Sequence, residues 1–215
     1  MRAFVLAALV STAAAPAAAQ SAPPVGVRGF FAFTEQAFSA KNTFNAVFGK
    51  SSGEFLGGGV QVIVLDSFFG EVSGSRLEET GSRVVVANGD VVSLGIPLKA
   101  TLTPIELTGG YRFRLRNLDW LRPYADAGVG WYSYKEACTA AAPTCSAIDA
   151  DLSAKHNGFV MHGGVELRLH GWVGVSADVQ YTHVPGIIGS DGASKAFNEQ
   201  NLGGVGGRFR VIVGR

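Results

Sequence analysis

Charge is scarce in this chain. Charged residues make up 16% of the 215 positions, against about 25% in ordinary soluble domains. The charge present has no bias, with Lys+Arg at 18 and Asp+Glu at 17. No basic excess exists to track a phosphate backbone, so no nucleic-acid partner is expected. Disorder is excluded too: 47% of the residues are hydrophobic, and disordered chains combine low hydrophobicity with high net charge. Long apolar runs are also missing. Beyond the N-terminus there is no stretch of about 18 apolar residues, so no membrane-spanning helix is expected there. Cysteine is limited to Cys138 and Cys145. Glycine, by contrast, is plentiful at 29 residues, roughly twice its usual ~7% share. Many glycines, few charges and no long apolar helix point to a sheet protein in an unusual solvent.

The N-terminus reads as a secretory signal over residues 1–19. Met1 and Arg2 form a short positive region, Ala3 to Val10 is apolar, and Ala17-Ala18-Ala19 fits an A-x-A cleavage site before Gln20. Residues 20–215 form one domain. Loss of Arg2 takes the basic count from 18 to 17, equal to the acidic count, so the mature chain is formally neutral. An even cysteine count in an exported protein predicts one disulfide, Cys138–Cys145, with a pair of free thiols as the alternative. No further cysteine exists to build a metal site with them.

Period-two alternation of apolar and polar residues recurs along the body. It predicts strands over Val25–Thr34, Glu54–Val64, Phe68–Ser75, Lys99–Leu115, Pro123–Lys135, Asn157–Arg168, Trp172–Val184 and Leu202–Val213. The connections Leu65–Ser67, Arg116–Arg122 and Leu169–Gly171 are short; Glu35–Gly53, Arg76–Leu98, Glu136–His156 and Pro185–Asn201 are long. Short and long alternate strictly, which is the wiring of a transmembrane barrel with tight turns on one side and long loops on the other. Asn88-Gly89 is a hairpin signal and predicts that the second long connection projects as a β-ribbon. The fold class expected is all-β: a closed eight-stranded antiparallel transmembrane β-barrel.

The faces separate cleanly. Ile105, Leu107, Tyr111 and Phe113 oppose Glu106, Thr108 and Arg112; Val175, Val179 and Tyr181 oppose Ser176, Asp178 and Gln180. A soluble barrel with its apolar face inside would show the same alternation and would bind a ligand in an apolar lumen. The signal segment, the loop sorting and the aromatics favour the lipid-facing reading. Trp120 and Trp172 sit at short-turn ends, and Trp131, Tyr132 and Tyr134 near the far end of the fifth strand, as two aromatic girdles would require.

These features resemble the small OmpA/OmpX-like outer-membrane β-barrel families, over residues 25–215. The stretches Leu107-Thr108-Gly109-Gly110-Tyr111-Arg112-Phe113 and Arg122-Pro123-Tyr124-Ala125-Asp126-Ala127-Gly128-Val129-Gly130 carry the likeness. So does the last strand, where Gly206, Phe209, Val211 and Val213 resemble the assembly signal of such barrels. The chain departs from the pattern in closing with Gly214-Arg215, where many members end on an aromatic residue. The resemblance implies an outer-membrane location, contact with outer-membrane lipid, passage through the barrel-assembly machinery and no cofactor. A closed barrel leaves no strand edge to force pairing, so a monomer is expected.

With the apolar faces outward, the lumen receives Arg28, Glu71, Glu106, Arg112, Asp126, Glu166, Asp178, Arg208 and Arg210. Mixed signs in a narrow interior predict a paired network that fills the lumen, in preference to a gate or ion path. Catalytic and metal signals are weak. The histidines are scattered, and His183 with Ser190 and Asp191 is followed by Val184-Pro185, not by the His-x-Ser-Asn run of lipid-modifying barrels. The expected role is structural or surface-interacting and non-catalytic. The alternatives are a narrow channel for small solutes or ions, and a lipid-modifying enzyme.

Overall fold

A computed structural model describes residues 25–87, 90–139, 152–189 and 192–214. The expected signal segment, 1–19, lies outside them. Eight strands follow in chain order: β1 (Val25–Phe38), β2 (Ser52–Val64), β3 (Phe68–Ala87), β4 (Asp90–Arg112), β5 (Leu121–Cys138), β6 (Leu152–His170), β7 (Val173–His183) and β8 (Gly204–Gly214). Helix α1 (Lys41–Phe48) lies between β1 and β2, and α2 (Gly192–Ala196) between β7 and β8. Each strand pairs antiparallel with the next, and β8 returns to β1, so the sheet closes. Phe33 of β1 stands opposite Leu56 on one side and Phe209 on the other.

Alternation along each strand gives the wall two surfaces. Outward positions on β2 are Val64, Val62, Val60 and Leu56, all exposed, and on β8 Val213, Val211, Phe209 and Val205. Each strand leaves this apolar band at the same end: the next outward residues are Glu35, Glu54, Arg76, Thr103, Ser133, Asn157 and His183 on β1 to β7. Eight residues, as from Val173 to Tyr181, climb roughly 20 Å at ~3.3 Å each and ~40° tilt. Adding the side chains at either end brings this close to the ~25 Å apolar band of a barrel in lipid. Exposed apolar surface wrapped around a whole molecule has no place in water.

Several strands run beyond their expected limits. The segment 76–98, read as a long connection holding a ribbon, is strand for most of its length. Thr80 pairs with Lys99 and Val85 with Val92, with a register shift between Ser82 and Val84. The turn residues Asn88 and Gly89 lie outside the described residues. β4 ends at Arg112 rather than Leu115, and β8 begins at Gly204 rather than Leu202. The first long connection shrinks because β1 runs to Phe38, and what remains holds a helix that the alternation did not predict. In α1, Phe44 and Phe48 fall at i, i+4 on one face, and Gly49 ends the helix in the left-handed region (φ 72°), its N–H donating to the Asn45 carbonyl. The helix is only 8 residues long, too short for a helical period to stand out against the strand alternation around it.

The aromatic girdles need one correction. Trp120, Trp131 and Trp172 are half exposed on the outer wall at the expected heights, but Tyr132 and Tyr134 are each 4% exposed and point into the lumen. Consecutive strand residues point oppositely, so Trp131 and Tyr132 cannot share a girdle. Tyr132 lies over glycines: a Cβ at Gly130 would meet its ring at 2.7 Å, and one at Gly158 at 2.8 Å. Cys138 ends β5 opposite Leu98; Cys145 lies outside the described residues.

Val60 sits midway along the outward band of β2 and Glu54 just above it. In lipid vesicles, Val60→Arg is expected to lower unfolding stability by about 2–4 kcal/mol, and Glu54→Arg by about 0–1 kcal/mol. Denaturant titration of both variants checks the membrane frame; equal effects would contradict it.

Candidate functional site

The lumen gathers the polar residues of all eight strands. Five guanidinium groups (Arg28, Arg112, Arg122, Arg208, Arg210) and five carboxylates (Glu71, Glu106, Asp126, Glu166, Asp178) are buried there. The signs cancel, so the interior is self-neutralising and offers no net field to attract one kind of ion.

Most of the expected charges join one chain of contacts in the half nearer the short turns. Arg28 donates through Nη1 to Glu166 Oε1 at 2.7 Å and through Nη2 to Oε2 at 3.0 Å. Arg112 Nη2 also donates to Glu166 Oε1, at 3.0 Å. Gln61 links this trio onward: its Oε1 accepts from Arg28 at 2.8 Å and its Nε2 donates to Glu71 Oε2 at 3.1 Å. Glu71 Oε2 accepts from Arg210 Nη1 at 2.8 Å, and Arg208 Nε donates to Asp178 Oδ1 at 2.9 Å. Tyr124 donates to Asp178 and accepts from Arg210. The Arg210 guanidinium also lies 5.0 Å from the centre of the Tyr124 ring and 5.1 Å from that of Phe30, within cation–π range.

Two expected members stand apart. Asp126 Oδ1 lies 2.6 Å from His162 Nδ1, with both side chains fully buried. Glu106 Oε1 accepts from the Tyr132 hydroxyl at 2.7 Å, higher in the barrel. Gln61, Arg122, Tyr124 and His162 belong to this interior and were not among the residues expected to form the network. Arg122 and Tyr124 share strand parity with Asp126, and His162 with Glu166; Gln61 alternates with the outward valines Val60 and Val62 of β2, and in each case parity is the signal that reveals the residue. Arg122 was assigned to a turn, but it is the second residue of β5.

Above the network the lumen changes character. Phe38, Phe44, Phe55, Leu102, Val184 and Leu202 belong to one buried apolar cluster at the long-loop end. Phe38 and Phe44 stack at 4.0 Å. The loops hold this lid from both sides. Glu199, in the loop before β8, accepts from the backbone N–H groups of Asn42 and Thr43 at 3.0 and 2.8 Å and from the Thr43 hydroxyl at 2.7 Å. A carboxylate thus caps the first turn of α1, where unpaired N–H groups and the helix dipole favour negative charge. Asn201 Oδ1 accepts from the N–H of Val184 at 2.8 Å and of Gly203 at 3.0 Å. Between lid and network remains a cavity of about 30 Å³, lined by Thr34, Glu106, Tyr132, Gln180 and Arg208 among others. At ~10–15 Å³ per water it has room for two or so water molecules.

The other candidates separate. His183 closes β7 on the outer wall, while Ser190 and Asp191 lie outside the described residues. Phe209, Val211 and Val213 face outward and are exposed; Gly206 faces inward against β1, where a Cβ would meet the Glu35 carbonyl oxygen at 2.8 Å.

A closed ring of eight strands, apolar outside and ionic within, defines a transmembrane β-barrel. The profile of the outer membrane protein beta-barrel domain matches residues 4–209, and the chain belongs to that family. The protein is therefore located in the outer membrane. Among solved structures it is similar to neisserial surface protein A: TM-score 0.55, 14% identity, covering 91% of this chain and 98% of that one. It is also matched by the N-terminal β-barrel domain of OprF from Pseudomonas aeruginosa (TM-score 0.47, 16% identity, 88% and 99% covered) and by Ail, the attachment invasion locus protein of Yersinia pestis (0.48, 10%, 88% and 95%). At this identity the likeness concerns the fold. No curated protein matches the sequence.

Glu166 is the only carboxylate within ion-pair distance of Arg28 and Arg112 among the described residues. Glu166→Gln strands two buried guanidinium groups and is expected to cost about 3–5 kcal/mol, the magnitude for breaking a buried ion pair from one side. Urea unfolding in vesicles measures it; an unchanged midpoint would mean that water hydrates this part of the lumen.

Proposed function

We propose that this protein is a non-conducting, non-catalytic outer-membrane barrel with a structural or surface-interaction role. One observation supports the reading: among the described residues, side chains fill the lumen twice, as the ion-pair network in one half and as the apolar lid in the other. Neither block depends on the other's residues, so loosening one leaves the second in place. The narrow-channel alternative requires both to open together. Surface interaction is supported by the β3–β4 ribbon. It rises above the apolar band with Val85, Val91, Val92 and Leu94 exposed, an uncommon choice for a surface with no partner.

The Cys138–Cys145 disulfide is proposed as well; Cys138 ends β5 opposite Leu98, at the base of this ribbon. The outward Phe209, Val211 and Val213 of β8 are proposed as the segment that the assembly machinery reads. Lipid hydrolysis at His183 is the weaker reading: the histidine faces outward at the rim, but Val184-Pro185 follow it in place of a His-x-Ser-Asn run.

In planar bilayers the purified protein is expected to give no steady unitary conductance, and Glu199→Ala, which uncaps α1, is expected to give none either. Reproducible open-channel steps from the wild-type protein would overturn the reading.

A further inference from the structure

The outer wall carries an ordered row of cations just above the apolar band. Arg76 on β3, Lys99 on β4, Lys135 on β5 and Lys155 on β6 all have outward strand parity and are partly or fully exposed. Their heights follow from the register. Lys155 stands opposite Ser133, two residues past Trp131, and Lys135 is four residues past it. At ~3.3 Å per residue and ~40° tilt, they lie roughly 5 and 10 Å above the tryptophan ring. That is the depth of lipid headgroups, not of the loop tips.

Spacing within the row is regular. Thr101 pairs with Lys135, so Lys99 is the diagonal neighbour of Lys135; Ser133 pairs with Lys155, so Lys155 is the diagonal neighbour of Lys135 on the other side. Diagonal neighbours in a sheet lie about 7–8 Å apart. Three like charges at that spacing repel, and an anion seated between them turns repulsion into attraction. Glu78 partly neutralises the β3 end, accepting from Arg76 and lying 2.7 Å from Lys99 Nζ. Lys135 and Lys155 form no ion pair among the described residues. The other side of the rim has the opposite sign: Glu35 and Glu54 face each other directly across β1 and β2 and point outward at the same level. With the strands in ring order, β1–β2 lies diametrically across from β5–β6.

We propose that the outward face of β4–β6 at the outer rim, centred on Lys135 and Lys155 with Lys99 beside them, binds the phosphate groups of an outer-leaflet lipid. The hydroxyls of Ser133 and Ser153, interleaved with the lysines, supply neutral donors, and Trp131 and Phe159 below supply wall for its acyl chains. The row selects a lipid bearing more than one phosphate, because one monoanionic headgroup spans only one of the two gaps. The acidic β1–β2 side repels the same headgroup, so lipid of this class is held on one side of the barrel. This holds whether or not the lumen conducts.

The test is native mass spectrometry of the full chain, purified in detergent and offered diphosphoryl lipid A, monophosphoryl lipid A or phosphatidylglycerol. The wild-type protein is expected to retain the diphosphoryl form best. Lys135→Gln with Lys155→Gln is expected to lower that retention roughly thirtyfold, from the usual contribution of two cations at a membrane surface. Glu35→Gln with Glu54→Gln, on the far side, is expected to leave it no weaker. Every variant is first checked for the gel shift between boiled and unboiled samples, so a failure to fold is not read as a loss of binding. Equal retention of phosphatidylglycerol, or undiminished retention by the double lysine variant, overturns the proposal. So does a lysine variant that loses only self-association, which would make the opposite charges of the two sides a contact between barrels.

Discussion

Inside hydrocarbon a strand has nowhere to send an unpaired N–H or C=O, and each one left bare costs several kcal/mol. The return of β8 to β1 removes every open edge at membrane depth, and the remaining features follow from that closure. A closed ring has an inside and an outside, so each strand must satisfy two environments at alternate residues. A ring of eight is narrow enough for side chains alone to fill. The polar residues that alternation places inside are therefore obliged to satisfy one another.

They do so in two different ways along the axis. In the half nearer the short turns, arginines and carboxylates from β1, β3, β4, β6, β7 and β8 bridge the lumen, with Gln61 and Tyr124 as neutral connectors. Such a network ties strands that are not neighbours in the ring: Arg28 and Glu166 are separated by two strands in one direction and by more in the other. In the outer half the packing is aromatic and aliphatic, and residues from the long loops complete it. Backbone bonds such as Ser39 N–H to the Gly203 carbonyl and Leu202 N–H to the Val184 carbonyl tie the loop segments to the strand ends, and burial of Phe44, Ile187 and Leu202 adds to that hold.

Much of this was legible from alternation. The eight strands, the sorting of loops and the inward parity of nine charged residues all follow from a period of two, which sequence displays directly. The details that escaped have a common cause. Where alternation stops, parity no longer says where a side chain points, so α1 and its inward Phe44 are not legible from it. Tyr132 and Tyr134 were misplaced because aromatic clustering was weighed above parity, although Trp131 between Gly130 and Tyr132 already fixed both orientations. Which charges pair was not legible at all. Partners such as Arg210 and Glu71 are 139 residues apart and meet only because the ring closes. The strand extensions at 76–87 and 90–98 are foreshadowed by the Asn88-Gly89 hairpin signal; they pair with each other, while β5 pairs with β4 from Leu98 to Arg112.

The cap on α1 has a consequence for how the surface can change. Helix and capping carboxylate lie on different loops, Thr43 and Glu199 being 156 residues apart in sequence. Transplanting either loop alone into another barrel leaves a helix without its carboxylate or a carboxylate without its helix. Variation in the two loops is therefore coupled, and they behave as one inherited module. Beyond the register shift at Ser82 and Val84 the β3–β4 ribbon pairs within itself, Val84 with Ser93 and Ala87 with Asp90, so its outer part carries its own backbone pairing.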